Sequence, residues 1–134
     1  IRTLDIDPVI RLMYRCGYYL ITDVTGDTVV VKKTADKAAQ WIEDVGPSAF
    51  SFIYPFHLPQ AETLFFNEID ASSQIDFMID LTIPFARLKE RATTYNLDDF
   101  SICVAAINDL IQLKEDRSDK TDADYADLAF LKGL

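Results

Sequence analysis

Segments with the periodicity of β-strands alternate with segments with the periodicity of α-helices from one end of the chain to the other. In the first helical segment, Val9, Leu12, Met13 and Cys16 fall on one face. The β-branched run at residues 28–31 is typical of a strand. The predicted helices have the sequences DPVIRLMYRCG, TADKAAQWIEDVG, PFARLKERATTY, AINDLIQLKEDR and DADYADLAFLKGL. The predicted strands have the sequences YYLI, TVVV, SAFSFIY, QIDFMIDLT and DFSICVA. This interleaving predicts an α+β or α/β fold in two layers.

Local signals mark the ends of the first two helices. Asp7 precedes Pro8 and is predicted to be the N-cap of the first helix, which Gly17 ends. Thr34 and Gly46 are predicted to cap the second helix at its two ends. The inward face of that second helix is expected to consist of Ala38, Trp41, Ile42 and Val45.

The composition is that of a globular protein, with 49% hydrophobic and 26% charged residues in 134. This length suits one domain, so residues 1–134 are predicted to form a single domain. No apolar run approaches the roughly 20 residues that span a bilayer, and no signal peptide is recognisable, so we expect a cytoplasmic protein without membrane contact. Cys16 and Cys103 are isolated in apolar surroundings and are expected to be buried thiols.

Charge and ligand counts argue against two function classes, although a local basic pocket is not excluded. The formal net charge of −9 argues against a surface that coats nucleic acid broadly, because such surfaces need clustered Lys and Arg. The chain has one His and two separate Cys, too few for a typical zinc site.

The sequence contains two Asp-x-Asp pairs, Asp5/Asp7 and Asp122/Asp124. Carboxylates spaced in this way lie on one face of a strand and can hold a divalent cation. However, the chain has 17 Asp, so about two such pairs are expected by chance. The pair alone therefore carries little information, and a helix-capping role is favoured for Asp7 and for the pair at the start of the last helix.

The C-terminal part of the chain, residues 74–134, resembles the small proteins of the nucleotidyltransferase (polymerase-β-like) fold. The segment QIDFMIDLTIPFARLKERA is similar to their I-D-hydrophobic segment followed by F-x-x-x-x-x-R-A. The segment INDLIQLKEDRSDKTDADYADLAFL is similar to their D-L-I-x-x-K signature with a following D-x-x-D, which Asp124 and Asp127 match. The group includes nucleotidyltransferases of abortive-infection and toxin–antitoxin systems.

The resemblance implies an α+β fold with a mixed sheet and helices mainly on one face. It also implies transfer of a nucleotide from an NTP to an RNA or protein hydroxyl, with carboxylates holding Mg²⁺. Asp76 occupies the position of the third family carboxylate and Asp27 that of the first, so both are expected metal ligands and catalytic residues. Lys114 and Arg117 are expected to contact the nucleotide phosphates.

The chain departs from the family pattern at two places. Val29 occupies the position of the second carboxylate, unless Asp5 and Asp7 form the metal-binding pair instead. The Gly-Gly or Gly-Ser turn that grips phosphate in the family has no counterpart here. Either this turn has been lost, or residues are missing near positions 21–22 or before Ile1, the first residue in place of a Met. The alternative is a catalytically silent protein that binds a protein partner, such as a toxin–antitoxin component or a regulatory subunit.

Overall fold

The computed structural model describes residues 6–134, which form seven β-strands and five α-helices. Backbone contacts divide the chain into two compact units that meet between Asp80 and Leu81 in the sequence. The expectation of a single domain over 1–134 stays a prediction, and each unit is described by itself. The first unit contains α1 (Ile6–Arg15), β1 (Tyr19–Thr25), β2 (Thr28–Val31), α2 (Ala35–Val45), β3 (Ala49–Pro55), β4 (Thr63–Phe65) and β5 (Ile69–Met78). The second contains α3 (Phe85–Arg91), β6 (Thr93–Asn96), β7 (Ser101–Val104), α4 (Ile107–Glu115) and α5 (Asp122–Lys132).

The first helix ends at a glycine in the left-handed conformation. The N–H of Tyr18 donates to the carbonyl of Met13, and the N–H of Gly17 donates to that of Tyr14. These two bonds form a Schellman motif, which requires positive φ at its C′ position, and Gly17 has φ of 86°. The helix already includes Ile6, so Asp7 lies in its first turn, and the prediction that Asp7 is the N-cap was wrong.

The ends of α2 confirm the sequence prediction. The Thr34 side chain accepts a hydrogen bond from the N–H of Lys37, and Gly46 ends the helix with φ of 60°. Ala38 and Ile42 are buried as expected. Val45, in contrast, is 56% exposed, because it lies in the last turn of the helix, away from the packed face.

The first unit contains an antiparallel five-stranded sheet with the strand order β4-β2-β1-β3-β5. Every neighbouring pair in it is antiparallel, so the prediction of a mixed sheet was wrong. The reason is the position of β1. The crossover through α2 makes β2 and β3 run in the same direction, but β1 lies between them and pairs with both. The coarse prediction of an α+β fold is confirmed.

The sheet is strongly curled, because its two edge strands are joined by only three residues. Phe65 ends β4 and Ile69 begins β5, so their Cα atoms lie within about 14 Å of each other. Four strand spacings would separate the edges of a flat sheet by about 19 Å. The carboxylate of Asp70 accepts hydrogen bonds from Ser72 and Ser73 at the irregular start of β5, where the register with β3 shifts. Such irregularities increase the bend of a strand.

Each face of this sheet has its own apolar cluster. On one face, Leu20, Phe50 and Phe52 pack against residues of α1 and α2. On the other, Leu64 of β4 and Ile69 of β5 belong to one buried cluster with Val29, Val31 and Ile53. Because this second cluster joins residues from both edge strands, it lies on the concave side of the curl. The concave face is therefore a second core formed by the strands themselves.

The second unit combines three helices with the two-stranded antiparallel sheet β6-β7. The third helix was predicted to run on to Tyr95, but α3 ends at Arg91 and Thr93 already begins β6. The β-branched pair at 93–94 favours a strand over further helix. Ile83, Leu88 and Leu128 are the buried apolar side chains of this unit.

Both cysteines are free and exposed, so the expectation of buried thiols was wrong. Cys16 lies in the turn that ends α1, and Cys103 lies on a hairpin whose strands are exposed throughout. No helix between residues 6 and 134 has both the length and the apolar character needed to cross a membrane. A cytoplasmic location stays a prediction.

Candidate functional site

Asp76, the predicted third carboxylate, lies on β5 opposite Ser51 of β3. Its Oδ1 atom accepts a hydrogen bond from the Ser51 hydroxyl at 2.6 Å and another from the Gln74 side-chain amide at 2.9 Å. These two donors hold the carboxylate against the sheet while its side chain stays exposed. Asp76 is therefore an oriented acceptor rather than a free surface charge.

Asp27, the predicted first carboxylate, lies in the two-residue turn between β1 and β2. Gly26 supplies the positive φ of 58° that such a turn requires, and Asp27 follows it. Through Ser51, Asp76 is level with Ile21 of β1, whereas the turn begins only after Thr25. The four residues from Ile21 to Thr25 therefore separate Asp76 from the turn that contains Asp27 by about 13 Å along the strand.

This separation does not bring the two predicted metal ligands together. Carboxylates that share a divalent cation place their oxygens about 2.0–2.6 Å from it, which requires close side chains. A cation held jointly by Asp27 and Asp76 is therefore not supported by this arrangement, although each residue's assignment stays a prediction. Of the alternative pair, Asp5 lies outside the described residues, and Asp7 forms an ion pair with Arg11 at 3.0 Å.

Lys114 and Arg117, the predicted phosphate contacts, both meet Asp124. Lys114 Nζ lies 3.3 Å from Asp124 Oδ1 and 2.8 Å from a carboxylate oxygen of Asp127. Arg117 Nη1 donates to the same Asp124 oxygen at 3.1 Å. The two cations thus join the end of α4 to α5, and a nucleotide phosphate would have to compete with Asp124 for them. Their assignment to phosphate stays a prediction.

Asp124 is held by more than these cations. Its Oδ2 atom accepts hydrogen bonds from the backbone N–H and the hydroxyl of Thr121, which completes a capping box at the start of α5. The backbone hydrogen bond from Thr121 and, after it, Lys114 and Arg117 lower the pKa of Asp124 to about 2. The carboxylate is 6% exposed and fully engaged, so the predicted capping role is confirmed.

A second buried carboxylate in this unit, that of Asp109, is also paired with a cation. Asp109, whose side chain is 5% exposed, accepts a bidentate pair of hydrogen bonds from Arg91, one of them at 3.0 Å from Nε. Arg91 ends α3 and Asp109 lies in the first turn of α4. The charged positions of the C-terminal pattern therefore pair with one another, and their spacing encodes how the helices of this unit pack.

One face of the β6-β7 hairpin is apolar and exposed. In the observed register Tyr95 lies opposite Ile102, and Thr93 lies opposite Val104, so these side chains share a face. Tyr95, Ile102 and Val104 are 53%, 44% and 40% exposed. The opposite face is polar and contains Thr94, Asn96, Ser101 and Cys103, whose side chains hydrogen-bond across the strands. We call this exposed apolar surface of the second unit (Thr93, Tyr95, Ile102, Val104) the "apolar hairpin face".

A cavity of about 440 Å³ borders the concave side of the curled sheet, and its lining also includes Phe50 and Trp41 of the helix-side cluster. Its apolar lining includes Ile21, Val29, Ile53, Phe66 and Ile69. Its polar lining includes Asp23, Ser51 and Gln74. Ser51 and Gln74 are the two residues that donate to Asp76. We call this the "concave cavity".

Sequence reasoning identified Asp76 but missed the concave cavity beside it. Ser51 and Gln74 are 25 and 2 residues from Asp76, and no motif connects Ser51 with it. The alternation of SAFSFIY placed Ser51 and Ile53 on the same face, which was the only available signal.

Comparison of the chain with protein-family models, with curated proteins and with solved structures gave no match.

Proposed function

We propose that this protein is a catalytically silent, nucleotidyltransferase-like interaction protein that binds a protein partner through the apolar hairpin face. The observation that carries the proposal is the exposure of Tyr95, Ile102 and Val104 side by side on one two-stranded sheet. A two-stranded hairpin is marginally stable by itself in water. An apolar face on such a hairpin gains stability when a partner covers it, as contiguous apolar patches at interfaces do.

The arrangement of the predicted catalytic residues supports the same choice. Asp27 and Asp76 occupy different ends of the sheet region, and Lys114 and Arg117 are engaged by Asp124. Two-metal transfer needs carboxylates around a shared cation and cations free for phosphate. Lys114 and Arg117 pair with Asp124 inside the second unit, and Asp76 is bound by Ser51 and Gln74 in the first.

The tip of the hairpin indicates the chemistry of the partner. Asp98 and Asp99 lie between β6 and β7, next to the exposed side chains of Leu97 and Phe100. The whole chain has a net charge of −9. Complementary charge steers association and suppresses wrong partners. The partner therefore presents apolar side chains flanked by Lys or Arg, as a toxin–antitoxin partner or the catalytic subunit of a regulated enzyme could.

Site-specific photo-crosslinking in cells tests this proposal. A photoreactive phenylalanine analogue replaces Ile102 on the apolar face or, as the matched control, Cys103 on the polar face of the same strand. We expect a discrete protein adduct from position 102 and none from position 103. Adducts of equal yield from both positions, or no adduct from 102, contradict the proposal, and an adduct with a second copy of the chain would replace the heterologous partner by a homodimer.

Salt dependence then tests the charge argument on the purified complex. Asp98→Asn with Asp99→Asn should slow association and reduce its dependence on ionic strength. Asp27→Asn, an exposed carboxylate of the first unit, is the control and should change neither quantity. Equal effects of the two changes would refute the role of the hairpin tip.

Mg²⁺-dependent nucleotide transfer from an NTP to an RNA or protein hydroxyl is the second candidate, and one observation favours it. Asp76 is oriented by two donors to Oδ1, and its Oδ2 atom has no partner within residues 6–134. A carboxylate oriented in this way is suited to ligate a cation. Loss of transfer in Asp76→Asn, with the fold retained, would support this candidate.

A further inference from the structure

The pair of residues next to the turn determines the hydrogen-bond pattern of the β6-β7 hairpin. Leu97 and Phe100 exchange both backbone hydrogen bonds, at 2.8 and 3.3 Å. Hydrogen-bonded and non-hydrogen-bonded pairs alternate along an antiparallel ladder, so the next hydrogen-bonded pair is Tyr95 with Ile102. The backbone groups of the residues between these pairs therefore point away from the hairpin, at its two edges.

At the edge of β6, these outward groups are the N–H and C=O of Thr94 and Asn96. Between residues 6 and 134, neither residue has a backbone hydrogen-bond partner for them. All four residues of β6 are exposed, so no other part of the described chain covers this edge. Unpaired groups in a row on an edge strand are a template for a further strand.

The apolar hairpin face favours the edge of β6 over that of β7. Tyr95 on β6 is 53% exposed, against 44% for Ile102 and 40% for Val104 on β7. Tyrosine is enriched among the residues that contribute most to binding at interfaces. A strand added beside β6 places alternate side chains directly against Tyr95 and extends the apolar face by one row.

The charge at the tip of the hairpin indicates what the added strand carries. Asp98 and Asp99 lie in the turn, and residues 93–104 contain no Lys or Arg. A second copy of β6 would bring two more carboxylates and a chain with the same net charge of −9. Lys or Arg side chains on the added strand complement this end of the hairpin instead.

We infer that the partner adds an extended segment, in which apolar residues alternate with Lys or Arg, as a third strand along the edge of β6. This inference rests on the proposed function, because it specifies how the partner meets the apolar hairpin face. Main-chain hydrogen bonds to Thr94 and Asn96 provide affinity, and the apolar side chains that contact Tyr95 provide specificity.

A capped peptide of about eight residues, in which Lys alternates with Val, is the probe for the full chain. Its binding is measured at low salt, where charge contributes most, by NMR titration and by amide hydrogen exchange. We expect saturable binding that protects the amides of Thr94 and Asn96 and leaves those of Ser101 and Cys103 exchanging as in the free chain. The same peptide with Glu in place of Lys should bind more weakly.

Two proline variants form a matched pair. Thr94→Pro and Cys103→Pro each remove one outward N–H, on β6 and on β7, and each removes the same contact between these two side chains. Proline is tolerated where the N–H of an edge strand faces solvent, and the amide exchange of Leu97 and Phe100 reports whether the hairpin still forms. Thr94→Pro should weaken peptide binding about three- to tenfold, as the loss of one hydrogen bond allows, and Cys103→Pro should leave it unchanged.

Three results would overturn the use of this edge: no saturable binding of the Lys/Val peptide, protection of Ser101 and Cys103 instead, or equal effects of the two proline variants. Protection of Thr94 in the parent chain alone, rising with its concentration, would show that a second copy occupies the edge. Any of these results together with an adduct from position 102 would reject strand addition and keep partner binding. The absence of an adduct from position 102 would reject the proposed function itself.

Discussion

Removing the hydroxyl of Tyr14 should destabilise the first unit far more than removing the hydroxyl of an exposed tyrosine. This hydroxyl donates to the carbonyl of Lys32 at 2.6 Å and accepts from the N–H of Leu20 at 3.2 Å. Leu20 and Lys32 face each other on the two strands, and in the opposite direction the N–H of Lys32 donates directly to the carbonyl of Leu20 at 3.1 Å. Tyr14 therefore replaces a missing ladder bond between β1 and β2.

The size of the effect follows from burial. Tyr14→Phe leaves one backbone donor and one backbone acceptor without their partner, and Leu20 is 0% exposed, so water cannot reach its N–H. An unsatisfied buried group costs about 1–3 kcal/mol, and the half-buried carbonyl of Lys32 costs less because it can be hydrated. We expect a loss of about 2–3 kcal/mol in the free energy of unfolding.

Urea unfolding followed by Trp41 fluorescence measures this loss in the first unit, and hydrogen exchange of the Leu20 amide locates it. Tyr54→Phe, at a 41% exposed tyrosine, is the control and should change stability by less than 0.5 kcal/mol, the usual limit for surface substitutions. Equal effects of Tyr14→Phe and Tyr54→Phe would refute the bridging role.

The ionisation of Tyr14 tests the burial of its hydroxyl independently. Burial raises the pKa of Tyr14 from 10.0 to about 12. Because the folded state favours the protonated hydroxyl, its contribution to stability is fully present below pH 10 and is lost as the pH rises through about 12. Tyr14→Phe should remove this part of the alkaline dependence, and an unchanged alkaline profile would contradict the assignment.

Three further changes test other parts of the structure. Gly17→Ala should cost about 1–3 kcal/mol in the urea assay, because the residue has φ of 86° and an added Cβ would lie 3.0 Å from Tyr54; an unchanged midpoint would contradict this. Arg91→Leu should cost about 1–3 kcal/mol in thermal unfolding of the second unit, because it leaves the buried carboxylate of Asp109 without its cation, and a variant as stable as the parent would show that the pair is dispensable. A backbone hydrogen bond at the start of α5 contributes most to lowering the pKa of Asp124 to about 2, so its stabilisation is present above about pH 4 and is lost towards pH 2. Asp124→Asn should flatten this acid dependence in pH-dependent melts, and a profile identical to that of the parent would count against it.

Local chemistry made some elements predictable from the sequence. The caps of α2 at Thr34 and Gly46 are determined by the residues themselves, and both were identified. The strand at 28–31 and the α+β class follow from β-branched content and periodicity in the same way. These features depend on interactions over a few residues, which a sequence displays directly.

Pairing between strands or side chains that are far apart in the sequence was not predictable. The sequence does not show that β1 pairs with β3 as well as with β2, and this double pairing makes the sheet antiparallel. Similarly, Lys114 is ten residues from Asp124, and only the packing of α4 on α5 brings them to 3.3 Å. In the sequence, Lys114 therefore looks free to bind phosphate, whereas in the structure it is paired with Asp124.

The central claim is that this chain binds a partner and does not transfer nucleotides. The most direct test is calorimetric titration of the full chain with ATP, GTP, CTP and UTP, each with and without Mg²⁺. Our account predicts no Mg²⁺-dependent nucleotide affinity for the parent chain. Saturable, Mg²⁺-dependent binding that disappears in Asp76→Asn would contradict it and would establish the transferase reading instead.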